Sequence, residues 1–169
     1  MKKLLIVLVV AILILAGIGF LYFFLNTEPK CEDLETLEQR DSCYMQSAVK
    51  NSEVEICDNI KNNLLLANCY KTIAVNTEDN YVCQAISTSD DNLQTVRRDC
   101  FTDVAIKTKD ASSCQYIPAD DTGDLGVRDY CYVMVAVEKR DSSICDVMSG
   151  DYASKEDCIK RANAGSNEV

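Results

Sequence analysis

Ten cysteines recur in a single frame along a chain of 169 residues, and that frame constrains the fold more than any other feature. The motif Cys-(Tyr/Phe)-x-x-x-Ala-(Val/Ile) occurs four times, beginning at Cys43, Cys69, Cys100 and Cys131. A second element, Cys-x-x-(large aliphatic), runs from Cys31 to Leu34, Cys57 to Ile60, Cys83 to Ile86, Cys114 to Ile117 and Cys145 to Met148. The unit is a short apolar turn of helix, a polar loop and a longer helix. Five such units begin at Cys31, Cys57, Cys83, Cys114 and Cys145, with periods of 26, 26, 31 and 31 residues. Self-similarity at this period is the signature of an array in which each unit buries its apolar face against its neighbours.

The long segment reads as helix because its apolar positions, at Cys, +1, +4, +5 and +6, follow a 3.6-residue period. The first four form one broad face, and the +6 Val or Ile lies well outside it. So wide an apolar arc must be covered on more than one side, as in a stacked array. Asp79, Asp110 and Asp141 each stand four residues before a short-segment cysteine, where an Asp caps the first free amides. Glu53 fills that place in the second unit and caps poorly, so Ser52 is expected to substitute. Pro118 should stop the short segment of the fourth unit. The longer periods come from polar insertions at 87–92 and 120–124, expected to project from one edge. The fifth unit, with Cys158, Ile159, Lys160, Arg161 and Ala162, replaces the aromatic and adds charge, as the polar end of an array requires.

Two pairing frames compete. In one, each unit closes on itself: Cys31 with Cys43, Cys57 with Cys69, Cys83 with Cys100, Cys114 with Cys131, Cys145 with Cys158. In the other, Cys43 joins Cys57, Cys69 joins Cys83, Cys100 joins Cys114 and Cys131 joins Cys145, all at intervals of 14 residues. The second frame leaves Cys31 and Cys158 unpaired at opposite ends. The first uses every thiol, and the repeats begin and end on its partners, so it is the expected pairing. Each bridge would close a loop of about 15 residues, worth roughly 3 kcal/mol in the chain-entropy model.

Residues 4–25 are 22 uncharged, almost wholly apolar positions. As a helix they would extend roughly 33 Å, enough for a hydrocarbon core of about 30 Å. The charges ahead of them are Lys2 and Lys3, and positive flanks stay cytoplasmic. The run exceeds the apolar region of a cleaved signal and lacks a small-x-small exit. The expected organisation is therefore a single-pass membrane anchor at 1–25, a linker at 26–30, a five-unit ectodomain outside the cytoplasm at 31–162, and a flexible tail at 163–169. Ten thiols in such a domain read as disulfides. Setting aside Lys2 and Lys3, 15 basic residues face 27 acidic ones, a formal charge of −12. So acidic a chain, without a basic stripe, argues against nucleic acid and anionic lipid headgroups.

The sequence contains no His. Catalytic Ser-His and Cys-His pairs and His-ligated metals are therefore out of reach within the chain. It also lacks Cys-x-x-Cys, which removes the signature of a thioredoxin-type centre. No catalytic residue, cofactor or metal ligand is expected. The acidic stretch 120–124 superficially suggests a calcium loop, but its glycines miss the sixth position and Cys131 stands where the twelfth-position Glu belongs. Weak divalent binding, with Asp90 and Asp91 of the preceding insertion, is the alternative role. Arg40, Arg97 and Arg128 precede a long-helix cysteine by three residues and are expected to pair with Asp41, Asp99 or Asp129, or with a neighbouring unit. Tyr44, Tyr70 and Tyr132 should pack, with the hydroxyl at a polar edge. Tyr22, Tyr81, Tyr116, Tyr130 and Tyr152 fall outside that position and are candidates for partner contact.

The combination of an N-terminal anchor, an acidic ectodomain and Arg-Asp-x-Cys-Tyr-x-x-x-Ala-Val followed by Asp-x-x-x-Cys-x-x-Ile resembles poorly characterised cysteine-rich helical repeat proteins encoded by archaea. Residues 31–162 carry the resemblance. It implies an all-α fold, an N-terminal transmembrane helix followed by a disulfide-stapled, solenoid-like ectodomain, and an extracytoplasmic location. It brings no known activity. The expected role is that of a non-enzymatic, membrane-anchored protein-interaction or scaffold module.

Overall fold

The computed structural model describes residues 30–118, 126–149 and 155–164. The expected anchor at 4–25 lies outside these residues, and so does most of the 26–30 linker. Among the described residues no helix is long and apolar enough to cross a membrane. Those residues fold as helix and connecting turn. In chain order they form η1 (Cys31–Asp33), α1 (Leu37–Asn51), α2 (Val54–Cys57), α3 (Asn63–Thr77), α4 (Asn80–Cys83), α5 (Asp91–Thr108), η2 (Ala111–Tyr116), α6 (Val127–Lys139), η3 (Ser142–Val147) and α7 (Lys155–Ala164), where η marks a 3₁₀ helix. Helix α7 reaches Ala164, two residues into the segment expected to be tail.

Each unit is one short helix followed by one long helix, and each closes on its own disulfide. The bridges are Cys31–Cys43, Cys57–Cys69, Cys83–Cys100, Cys114–Cys131 and Cys145–Cys158, with Cα separations of 5.5 to 6.0 Å. No cysteine is left over. The rival frame of 14-residue intervals fails because the long-helix cysteine faces the short helix of its own unit. Every bridge except Cys31–Cys43 is fully buried. Each long helix packs on the next one in chain order, and every short helix after the first is wedged between the preceding long helix and its own. That wedging explains the wide apolar arc. The +5 alanines Ala48, Ala74, Ala105 and Ala136 are completely buried. At +6, Val137 is buried, while Val49, Val75 and Ile106 sit half-buried at the rim.

The turn between units is built from the same local parts each time. Helices α1, α3, α5 and α6 end at Ser52, Glu78, Lys109 and Arg140, all in the left-handed region at φ 54° to 61°. The next residue returns its amide to the buried alanine: Glu53 N–H to Ala48 O, Asp79 to Ala74, Asp110 to Ala105 and Asp141 to Ala136, each 3.0 Å. This is a Schellman closure. The residue that completes it also starts the following short helix. Asp79 accepts from Tyr81 N–H at 2.9 Å, Asp110 from Ser112 N–H at 2.9 Å and Asp141 from Ser143 N–H at 3.2 Å, as expected of caps. Glu53 makes no capping bond, and Ser52 does not replace it, because Ser52 is itself the left-handed residue that ends α1. Pro118 follows Ile117, which leaves the 3₁₀ helix in extended conformation, as a residue before proline must.

The long helices have their own start signals. Thr36 and Gln39 form a reciprocal capping box on α1. Asn62 accepts from Leu65 N–H at 3.0 Å on α3, and Asp90 from Leu93 N–H at 3.1 Å on α5. Inner and outer helices differ in burial. Helices α5 and α6 each bury seven residues, whereas α1 buries Asp41 and Ala48 and α7 buries Cys158 and Ala162. The polar fifth unit thus closes the end of the array as its sequence suggests.

Candidate binding cleft between the central units

Superposing the units on their long-helix cysteines brings a position two residues before the cysteine into view. It is occupied by Asp41, Ala67, Arg98 and Asp129, all buried. Twenty residues further on, just past the next short helix, stand Lys61, Ser87, Pro118 and Ser149. Asp41 spans the first junction: its carboxylate accepts from Lys61 N–H at 3.0 Å and from Asn62 N–H at 2.9 Å. Asp129 does the same at the last junction, accepting from Ser149 N–H at 3.0 Å and Ser149 Oγ–H at 2.8 Å. Both aspartates therefore bind the next unit.

The two central junctions carry no such carboxylate, and each has a cleft where the clasp would be. Between the second and third units a hollow of about 140 Å³ is lined by Leu66, Ala67, Tyr70, Ile86 and Ser87. Between the third and fourth it widens to about 320 Å³, lined by Thr88, Gln94, Arg97, Arg98, Phe101, Tyr116 and Pro118. Pro118 has no N–H to offer a carboxylate, and Arg98 takes the place of the aspartate. The second-to-third junction is fastened instead at the opposite end of its helices. Lys107 Nζ donates to Val75 O at 2.7 Å and Asn76 O at 3.2 Å, and Lys71 lies 2.8 Å from Asp103.

Within the larger cleft, the rings of Phe101 and Tyr116 stack at a centroid distance of 5.4 Å. The Arg97 guanidinium sits 5.9 Å over the Phe101 ring, within cation–π range. Arg97 also donates to Ile86 O at 3.4 Å, and Arg128 makes the corresponding bond to Ile117 O. These arginines tie the long helix to the end of their own short segment, by way of a main-chain carbonyl that the sequence reading had not singled out. Among the described residues the buried Arg40 Nε has no acceptor. Arg98, 7 % exposed, donates to Thr95 Oγ1 at 2.9 Å. The cleft thus combines an apolar two-ring wall with two guanidinium groups. A larger hollow of about 1160 Å³ flanks α1, but it is lined chiefly by exposed polar side chains such as Glu38, Gln39, Gln46 and Lys50.

The tyrosines divide as their positions suggest. Tyr70 is buried and its hydroxyl donates to the Asp58 carboxylate. Desolvation, then that bond and the Asp58 charge, push its pKa up to about 12. Burial also raises Tyr132, against the opposing Arg128 charge. Tyr44 is half-buried against the core. Tyr81, Tyr116 and Tyr130 are exposed, Tyr81 most of all at 70 %. Tyr22 and Tyr152 lie outside the described residues.

The acidic loops give the cation reading no added support. Residues 120–124 lie outside the described residues. Asp90 is engaged as the cap of α5, and among the described residues no group of three or more potential ligands converges. The cap carboxylates Asp110 and Asp141 are held below the usual range, Asp110 chiefly by the Ser112 amide and Asp141 chiefly by the Ser143 hydroxyl.

Fold and site together define a disulfide-stapled, all-helical array with one aromatic–guanidinium cleft at its centre. Five disulfides are consistent with an extracellular or secreted protein. No protein-family model, no curated protein and no solved structure matches the chain.

Proposed function

We propose that the protein is a non-enzymatic, extracytoplasmic interaction module, tethered to the cell membrane through residues 4–25, that engages a protein partner over its central units. The observation that carries this reading is the cleft of Arg97, Arg98, Phe101 and Tyr116 on an array stapled in every unit. A frame held by one disulfide per unit loses little freedom on binding, which favours recognition. The exposed ring of Tyr116 supplies apolar contact at the cleft, and Tyr81 and Val147 are exposed as well. With all ten thiols in disulfides and no His in the sequence, the chain has no Cys-His or Ser-His pair to offer. The resemblance to archaeal cysteine-rich repeat proteins belongs to the same reading and rests on the repeat at 31–162.

The test is crosslinking of the full chain at the surface of cells that express it, followed by mass spectrometry. A reproducible protein neighbour crosslinked near the third and fourth units is the expected result. Failure to capture any neighbour, or cleavage of glycans or peptides by the purified ectodomain, would overturn the proposal.

A further inference from the structure

The first unit lacks devices that hold the short helix in the units after it. Helices α2, α4, η2 and η3 are wedged between the preceding long helix and their own, whereas η1 packs on α1 with no described helix before it. Three residues past the short-segment cysteine, Ile60, Ile86, Ile117 and Met148 are buried, but Leu34 at the same place is only half-buried. Arg97 and Arg128 tie their long helices to the carbonyl of that residue. Arg40 stands in their position, yet among the described residues its buried Nε has no acceptor. Helix η1 itself buries no residue and has no side-chain cap. What holds it is its disulfide.

That bridge is also the accessible one. Cys31 and Cys43 are half-buried, whereas the other eight cysteines are 0 % exposed. Both line the open hollow of about 1160 Å³ along α1, beside Lys30, Leu34 and Lys50. Exposed disulfides are the labile ones in thiol–disulfide exchange, because an attacking thiolate must reach a sulfur. We propose that Cys31–Cys43 is a reducible bridge, opened by a dithiol through this hollow, and that its opening frees residues 31–35 from α1 while the other four bridges stay closed.

The exchange balances within the two pairs of sulfurs. A thiolate of the dithiol attacks one Sγ, the S–S bond breaks, and a mixed disulfide forms while the other cysteine leaves as thiolate. The second thiol of the reductant, deprotonated, attacks its own sulfur in the mixed disulfide and expels the remaining cysteine. Two electrons and two protons pass to Cys31 and Cys43, and the dithiol becomes its disulfide. The release stops at Thr36, because the capping box of Thr36 and Gln39 starts α1 without the bridge. With the proposed anchor at 4–25, the freed stretch lengthens the tether by up to about 17 Å. That consequence alone rests on the anchoring.

A small dithiol and a protein dithiol share this chemistry. The experiment treats the full chain in detergent with dithiothreitol or with reduced thioredoxin, blocks free thiols with iodoacetamide at intervals, and maps the peptides. Cys31 and Cys43 should be alkylated at least about tenfold faster than any other pair. Selective opening by dithiothreitol alone identifies a small dithiol as the source, and selective opening by thioredoxin a protein one. In the protein reduced at this bridge, NMR order parameters at Asp33 and Leu34 should fall below about 0.6, while Gln39 stays near about 0.85. The double variant Cys31→Ser, Cys43→Ser should show the same fall with four bridges intact. Reduction of another bridge first or at the same rate, failure of both dithiols to open this one, or unchanged order at Asp33 and Leu34 after its opening would refute the assignment. Those outcomes leave the crosslinking test of the partner untouched.

Discussion

The first and last junctions of the array are latched by a buried aspartate, and the two central ones are not. Asp41 and Asp129 each reach over the next short helix and hold the amide that follows it. At the same place the central junctions have Ala67 and Arg98, with a cleft beside each. The terminal long helices bury the fewest residues, and each of the two end junctions carries a charged clasp. The inner helices bury more and hold together without it. The end junctions are thereby closed by a clasp, and the central ones are left open at the same position.

The contrast breaks most sharply at Arg98. Arg98→Asp would place a carboxylate opposite Pro118, which has no amide, and a buried charge without a partner should cost about 3 kcal/mol or more. A loss below 1 kcal/mol in chemical denaturation, on the order of a surface substitution, would contradict the clasp rule. Asp129→Ala removes the acceptor of the Ser149 amide and hydroxyl and should cost about 2 kcal/mol, measured in the same way. Next, Ala67→Asp transplants the clasp into the second-to-third junction, where Ser87 offers an amide and the neighbouring hollow offers room. It should add about 1 kcal/mol and fill that cleft. A destabilised Ala67→Asp variant would mean that the residue twenty positions ahead does not decide the effect.

How much of this was legible beforehand depends on how local each device is. The caps Asp79, Asp110 and Asp141 and the stop at Pro118 act within a few residues of themselves, so pattern reading found them. The self-closing disulfides followed from the repeat having complete end units. Asp41 and Asp129 looked like partners for the adjacent arginines because their acceptors serve amides some twenty residues away, which appear only when units are superposed. Arg97 and Arg128 bind main-chain carbonyls, and a carbonyl leaves no trace in the residue pattern. The left-handed ends at Ser52, Glu78, Lys109 and Arg140 lack the glycine that would announce them. The cleft was only partly visible: Arg97 and Tyr116 were singled out separately, but Arg98 and Phe101 join them only through the stacking of units.

A smaller effect separates the second unit at high pH. Tyr70 has its folded-state pKa raised to about 12 from the ordinary phenol value of 10.0, so its contribution is fully present below pH 10. As pH climbs from 10 toward 12 the unfolded chain gives up this proton first, and the contribution is lost. Melting curves over that window should fall more for the wild type than for Tyr70→Phe, whose ring matches Phe101 of the next unit. Equal slopes would argue that the bond to Asp58 does not bias the phenol. Least of all, Lys109→Gly relieves a left-handed residue at the end of α5 and should raise stability by about 0.5 kcal/mol in chemical denaturation.

The most direct measurement of the division between closed and open junctions is amide hydrogen exchange resolved by NMR. Asn62 and Ser149 donate to clasping carboxylates, whereas among the described residues the Ser87 amide has no hydrogen-bond acceptor. The account predicts strong protection at Asn62 and Ser149, near-unprotected exchange at Ser87, and loss of the Ser149 protection in Asp129→Ala. Equal protection at all three amides, or protection at Ser149 that survives Asp129→Ala, would contradict it.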